Sequence, residues 1–344
     1  MTAKYSFASD YLEGAHPAIL RRLVETNLLQ TSGYGTDEFS DAARAKIKAA
    51  CGLSEAEIYF LIGGTQANAV VIDTMLYPYE GVVAASSGHV AQHEAGAIEY
   101  GGHKVLSLPQ KDGKITAAQI EDFVTKFYQD ANHEHMVFPG LVYLSQPTEY
   151  GTLYSLEELT AIHETCAAHH LPLYVDGARL AYALAAEEND VSLKDLAGLA
   201  DVFYIGGTKC GALFGEAVVF PQSGTVPHFL TQVKQHGALL AKGRIAGLQF
   251  DTLFTDGLYE NIGRPAITAA NQIRAALKAK GYSLYMENPT NQIFVLLTHA
   301  QREKLEQSVE LGYWEAYDET RDILRIATSW ATSEEQVEAL LALL

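Results

Sequence analysis

The chain is poor in the features that mark secreted, membrane-embedded or nucleic-acid-binding proteins. Its 344 residues hold only three cysteines, Cys51, Cys166 and Cys210. That is no disulfide framework, and it leads us to expect a reducing compartment. Basic residues are also scarce, 24 Lys and Arg against 42 Asp and Glu, for a formal charge of -18. Such a surface repels phosphate backbones, so neither nucleic acid nor anionic membrane is an expected partner. A local basic pocket for a small metabolite is still compatible with it. No uninterrupted apolar run approaches the length of a bilayer span, and Met1–Asp10 lacks the apolar core of a signal peptide. The cytoplasm is therefore the expected address. Low-complexity tracts and fixed-period repeats are missing too. What is present, 48% hydrophobic and 19% charged residues, fits an ordinary folded protein with a large core.

Along the chain, short β-rich runs alternate with helical stretches. Glu57–Ile62, Val82–Ala85, Lys104–Leu108, Gly140–Ser145, Pro172–Asp176, Asp201–Gly206 and Ala217–Phe220 read as strands. Helices are expected from Gly63 through Leu76, over Thr116–Tyr128 with Thr116 as cap, and over Ser155–His169. This alternation predicts an α/β fold with a mainly parallel sheet covered on both faces. The texture changes near residue 240. Helical patterns at Leu248–Tyr259 and Pro265–Lys280 precede a strand at Ile293–Leu297, a helix at Gln301–Leu311, a strand at Ile323–Ala327 and a helix at Ser333–Leu344. We therefore expect a large domain over 1–240 and a smaller α/β domain over 241–344.

Ligands of open α/β sheets gather at the carboxyl ends of strands. Gly63-Gly64-Thr65 follows the first of these strands. Its glycines admit an anion to backbone N–H groups, and the helix that follows adds about half a positive charge; the bland alternative is a tight turn capped by Thr65. Asp176-Gly177-Ala178-Arg179 ends the fifth strand, either as part of a pocket or as a local ion pair. Thr208-Lys209 follows the sixth, amid Gly206, Gly207 and Gly211. Burial lowers a lysine's pKa and frees the neutral amine for Schiff-base chemistry, although most lysines are only solvated charges. Phosphate cradle, acid and lysine together are what a pyridoxal-phosphate site requires.

At these positions the chain resembles the pyridoxal-phosphate enzymes of the aspartate aminotransferase fold (fold type I). Within them it is similar to the L-threonine aldolase (β-eliminating lyase) family. The resemblance spans nearly the whole chain and rests on Ser9-Asp10, Tyr34-Gly35-Thr36-Asp37, Gly64-Thr65, His89, Asp176–Arg179, Thr208-Lys209, Arg244 and Arg325. It implies a seven-stranded, mainly parallel sheet and a small C-terminal α/β domain. It also implies cleavage of L-threonine or L-allo-threonine to glycine and an aldehyde. Gly64 and Thr65 would hold the cofactor phosphate, Thr208 would also bind the cofactor, Asp176 would hold the ring nitrogen, and Lys209 the cofactor itself as an imine. His89 would stack on the ring and take the substrate's hydroxyl proton. Ser9, Arg179 and Arg325 would grip the substrate carboxylate. Tyr34 and Arg244 would reach a neighbouring subunit's site, Arg244 near the phosphate, in a homodimer or homotetramer.

Two departures stand out. Gly63 replaces a serine common in that family. Gln146-Pro147-Thr148-Glu149 replaces its usual Glu-Asn-Thr-His stretch, which puts ring contacts by Gln146 and Thr148 in question. His163, Cys166 and His170 could share a helix face, but they lack the His-Glu-x-x-His signature, and no metal is expected. His93 rivals His89 for the stacking position, and Cys210 reads as a small packing residue. An aminotransferase or β-eliminating lyase is the competing reading within the fold. A pyridoxal-phosphate carrier without turnover is the competitor from outside it.

Overall fold

The computed structural model describes residues 4–344. A short strand, β1 (Tyr5–Phe7), comes first, followed by helices Pro17–Glu25 and Glu38–Cys51. Sequence reading missed all three, although both helices carry ordinary punctuation. Pro17 stands in the first turn of one; the Asp37 side chain caps the other, and left-handed Gly52 closes it. Then come β2 (Glu57–Leu61), β3 (Glu80–Ala85), β4 (Val105–Leu108), β5 (Phe138–Ser145), β6 (Leu173–Gly177), β7 (Val202–Gly206) and β8 (Glu216–Phe220). They form one seven-stranded sheet in the order β2-β8-β7-β6-β5-β3-β4. Only β8 runs against its neighbours, and the β4–β3–β5–β6–β7 pairings are all parallel. The expected α/β class, with its mainly parallel sheet, is therefore the observed one.

Period-2 alternation divides each central strand between two cores. Leu173 and Val175 of β6, with Phe203 and Ile205 of β7, join one cluster; Tyr174, Val202 and Tyr204 join the other. Both faces are covered, and each fully buried Leu, Val or Ile side chain contributes about 1.5–3 kcal/mol.

Four more strands, β9 (Ser283–Leu284), β10 (Gln292–Thr298), β11 (Val309–Ala316) and β12 (Arg321–Ala327), complete a second, five-stranded sheet in the order β1-β11-β12-β10-β9. Here β1 lies parallel to β11 and the other pairings are antiparallel. The helix expected over Gln301–Leu311 is a correction. It runs only His299–Glu306, and Val309 and Leu311 turn inward on either side of exposed Glu310 in β11. Pairing with β1 and β12 overrides the local helical pattern.

The helix expected at Leu248–Tyr259 is likewise shifted. It spans Arg244–Leu253 and ends before a left-handed Asp256-Gly257 pair. Although it follows residue 240, its residues Phe250 and Leu253 lie in the large core. Helix Arg264–Ala279 supplies Ala269, Ala270, Ile273 and Leu277 to the small one.

Candidate active site

Because β3, β5, β6 and β7 are parallel, their carboxyl ends share one edge of the sheet. The pocket there is lined by Gly64, Thr65, His89, Thr148, Glu149, Asp176, Arg179, Thr208, Lys209 and Glu216, among others. Close packing explains the glycines beside them. A Cβ on Gly177 would strike the Tyr204 carbonyl, and one on Gly206 the Ala178 carbonyl. Small residues are thus required where Asp176 and Lys209 leave adjacent strands.

Asp176 is 4% exposed and well partnered. Its Oδ1 accepts the Ala178 N–H at 2.9 Å; its Oδ2 accepts the Tyr143 hydroxyl at 2.5 Å and the Asn68 amide at 3.1 Å. Burial pushes its pKa up, but His89 and the donors from Tyr143, Tyr204 and Ala178 outweigh that and hold it below the usual carboxylate value. Asp176 is held as an anion.

Lys209 shows the opposite balance. Loss of water and the Arg179 charge lower its pKa, only partly opposed by Asp10, Asp176 and Glu216. Glu216, on β8, accepts the Gly207 N–H at 3.0 Å, and burial raises its pKa to about 8. Sequence reading did not single it out. Cys210, with its thiol pushed up to about 12 by burial, packs in the core.

Helix Gly64–Met75 has Gly63 at its N-cap, and no side chain caps its first turn. A Cβ on Gly63 would meet nothing within 4 Å. Free N–H groups at the start of a twelve-residue helix, open to the pocket, are an anion cradle.

His89 contacts Glu94 through Nδ1 at 2.7 Å, and Glu94 also accepts the Asn68 amide at 2.7 Å. A carboxylate partner places the proton on Nδ1. His93 does not line the pocket; it packs on Trp314 at 5.6 Å between ring centres. The structure therefore brings His89, not His93, to the site. Asn68 and Tyr143 lay inside an expected helix and an expected strand, and Glu94 in the unassigned stretch between Ala85 and Lys104, none with a local mark of function.

Arg179 forms a forked pair with Asp10, Nε to Oδ2 at 2.6 Å and Nη2 to Oδ1 at 2.9 Å. Asp10 is 1% exposed and also accepts the Asn291 amide at 2.9 Å. Burial opposes its ionisation, but Arg179, Lys209 and Asn291 lower its pKa to about 2. Arg179 thus has two of its three guanidinium nitrogens committed. Arg325 donates to Gln292 Oε1 at 3.2 Å and the Ala8 carbonyl at 2.7 Å. Its Nε and the Ser9 hydroxyl are buried without a protein partner among the described residues.

The structure does not bring Tyr34 and Arg244 to this pocket. Arg244 braces the carbonyls of Thr26 and Leu29 at 2.8 and 2.7 Å, and Tyr34 lies under the Lys234 ammonium at 4.6 Å. Gln146 also turns away, exchanging hydrogen bonds with the Tyr154 backbone, while Thr148 lines the pocket and bonds Thr152 at 2.6 Å. His170 sits past the end of its helix at φ 56°, so it does not join His163 and Cys166. No group of three or more described His, Cys, Asp or Glu side chains is arranged to hold a metal.

This edge-of-sheet site defines a class before it defines a family. A Thermus thermophilus aspartate aminotransferase mutant superposes with a TM-score of 0.73 at 16% identity, over 99% of this chain and 90% of that one, which fixes the fold. The beta-eliminating lyase family profile matches residues 6–300, and the chain belongs to that family. A Leishmania major threonine aldolase is 39% identical, with a TM-score of 0.95 over 98% of both chains. The low specificity L-threonine aldolase of Pseudomonas aeruginosa is 32% identical over 97% of this chain and 95% of its own. That of a Pseudomonas sp. is 30% identical over 98% and 96%.

Proposed function

We propose that this chain is a pyridoxal-phosphate-dependent aldehyde-lyase that cleaves L-threonine and L-allo-threonine type β-hydroxy-α-amino acids to glycine and an aldehyde. The observation that carries this reading is one pocket uniting an anionic Asp176, a low-pKa Lys209 and an uncapped helix start at Gly64-Thr65. The donor set fits the cofactor. Gly64, Thr65 and Thr208 would hold its phosphate, Asp176 its ring nitrogen, and Lys209 would carry it covalently. When bound, pyridoxal phosphate supplies an electron sink for the bond broken at the substrate's α-carbon.

The protein's own residues supply orientation. Asp176, fixed by Tyr143, Asn68 and the Ala178 amide, keeps a negative charge that would pair with the ring nitrogen. Glu94 sets the tilt of His89, which would stack on the ring of a bound cofactor. Arg179, aimed by Asp10, takes the substrate carboxylate with Arg325 and Ser9. Planar donors on a carboxylate restrict rotation of the amino acid, and that choice of rotamer decides which α-carbon bond breaks.

The Arg244 and Tyr34 positions, away from their own chain's pocket, support a shared site in a homo-oligomer, a dimer or tetramer. So does the apolar surface of Leu20, Val24, Leu28 and Leu29, with Leu28 90% exposed. Three buried free cysteines support a reducing compartment such as the cytoplasm. No described helix is long and apolar enough to cross a membrane. Incubation with L-threonine and no keto acid tests the reading, with acetaldehyde and glycine expected in equal amounts. Release of 2-oxobutyrate with ammonia would move the protein to the eliminase reading.

A further inference from the structure

The loop after β5 carries a buried acid that the mechanism above does not use. Glu149 is 7% exposed and lines the pocket. Its Oε1 accepts the Ser145 hydroxyl at 2.6 Å and the His89 backbone N–H at 2.9 Å. Its Oε2 has no protein partner among the described residues, yet it is not sealed away from the pocket's space, unlike Glu94 Oε2. The backbone is fixed as firmly. Gln292 donates to the Glu149 carbonyl at 3.3 Å while accepting from Arg325, and neighbouring Tyr150 packs on Phe294 and Trp314. One glutamine therefore ties the Glu149 main chain to Arg325.

The other acids at the site have partners of their own. Asp176 serves three donors, and Glu216 accepts the Gly207 amide next to Lys209. His89 has Nδ1 on Glu94 and lines the pocket, where its ring would stack on the cofactor. Glu149 offers a carboxylate oxygen that no described donor holds and that is open to the pocket, whereas the free oxygen of Glu94 is sealed from it.

We propose that Glu149 recognises the substrate's β-hydroxyl group and takes its proton as the carbon–carbon bond breaks, an inference that rests on the lyase reading above. Electrons and atoms balance within the substrate. The O–H pair becomes the second bond of the aldehyde carbonyl, and the Cα–Cβ pair stays with the α-carbon. That carbon then takes up one proton to become glycine. No outside oxidant or reductant enters. Burial pushes the Glu149 pKa up, opposed by the Ser145 hydrogen bond, and a carboxylate with a raised pKa is the stronger base once ionised. The chain's departure at Gln146–Glu149 from the usual Glu-Asn-Thr-His stretch then has a chemical meaning: a carboxylate stands where that stretch ends in an imidazole.

Glycine lacks the hydroxyl, which separates this role from the rest of the site. Cofactor-loaded wild type, Glu149→Gln and Glu149→Ala would be compared in three measurements. These are α-proton exchange of glycine in D2O by NMR, aldehyde release from L-threonine, and calorimetric binding of L-serine against L-alanine. The ratio of threonine cleavage to glycine exchange should fall about a hundredfold in both variants. The preference for L-serine over L-alanine should fall about tenfold in Glu149→Ala. Equal losses of cleavage and exchange would make Glu149 a structural support, and wild-type cleavage in Glu149→Gln would return the proton to His89; either overturns the proposal. Wild type that exchanges glycine yet releases no aldehyde would sink the lyase reading instead, and the serine preference would then decide the Glu149 contact by itself.

Discussion

Replacing Asp10 with asparagine removes a charge without removing a shape. In the native chain Asp10 and Arg179 form a two-pronged pair at 2.6 and 2.9 Å. The Arg179 side chain is 11% exposed and that of Asp10 fully buried. Breaking such a pair from one side leaves an uncompensated buried guanidinium, and the cost is about 3–5 kcal/mol. Asp10→Asn should therefore lower the denaturant midpoint substantially, with an unchanged slope. The double variant Asp10→Asn, Arg179→Gln should lose less than Asp10→Asn alone, because neither charge is then stranded. Acid titration adds a second check. The folded pKa of Asp10, about 2, lies below its ordinary 3.8, so its contribution is complete above 3.8 and lost as pH falls toward 2. The gap between wild type and Asp10→Asn should hold steady above that window and shrink within it. A loss under about 1 kcal/mol, or a double variant worse than the single one, would refute the reasoning.

Other expectations follow from the same site. Borohydride reduction of the loaded protein should fix the cofactor on Lys209, as read by peptide mapping; a label on Lys234 or Lys242 would move the site. A charge pair near 4 Å at an effective dielectric of about 20 is worth roughly 4 kcal/mol. Asp176→Ala should accordingly slow turnover about a thousandfold, and a loss below about tenfold would mean that another group serves the ring nitrogen. If Arg244 completes a partner's site, mixing inactive Arg244→Ala with inactive Lys209→Ala subunits should restore part of the activity through hybrid oligomers; no recovery in verified hybrids would place Arg244 elsewhere. The Glu216 carboxyl, at about 8 against an ordinary 4.5, holds a proton in the folded state that the unfolded chain releases. Wild-type stability should then fall relative to Glu216→Gln as pH rises from about 5 toward 8, as read by melting temperature.

The large sheet was legible because parallel buried strands are short apolar runs with abrupt polar ends, and Asp176 and Lys209 stand at two of those ends. Their partners were not. Asn68 and Tyr143 sit at inward positions of a helix and a strand, where nothing local separates a packing residue from a hydrogen-bond donor. Only the fold brings Asn68 to Asp176, 108 residues away. Glu216 was hidden in the same way, as the first residue of a strand. β11 failed for a related reason. Its alternation at Val309–Leu311 follows directly on a helical run, and its partner β1 lies at the opposite end of the chain. Arg179 and Arg325 could be named as cations, but that Asp10 would claim most of one guanidinium is a fact of tertiary geometry.

The segment around Asp10 also orders events in time. Ala8 accepts from Arg325, 317 residues downstream, and Asp10 from Asn291, 281 residues downstream; β1 has no partner until β11 exists. A ribosome makes this stretch before any of those partners, and domains generally fold in the order they emerge. The large sheet from β2 to β8 can close while β1 still waits unpaired. Arg179 then lacks its carboxylate and the pocket its finished wall, so a nascent chain that has already assembled its lysine and its phosphate cradle stays incomplete until Asn291 and β11 have left the tunnel.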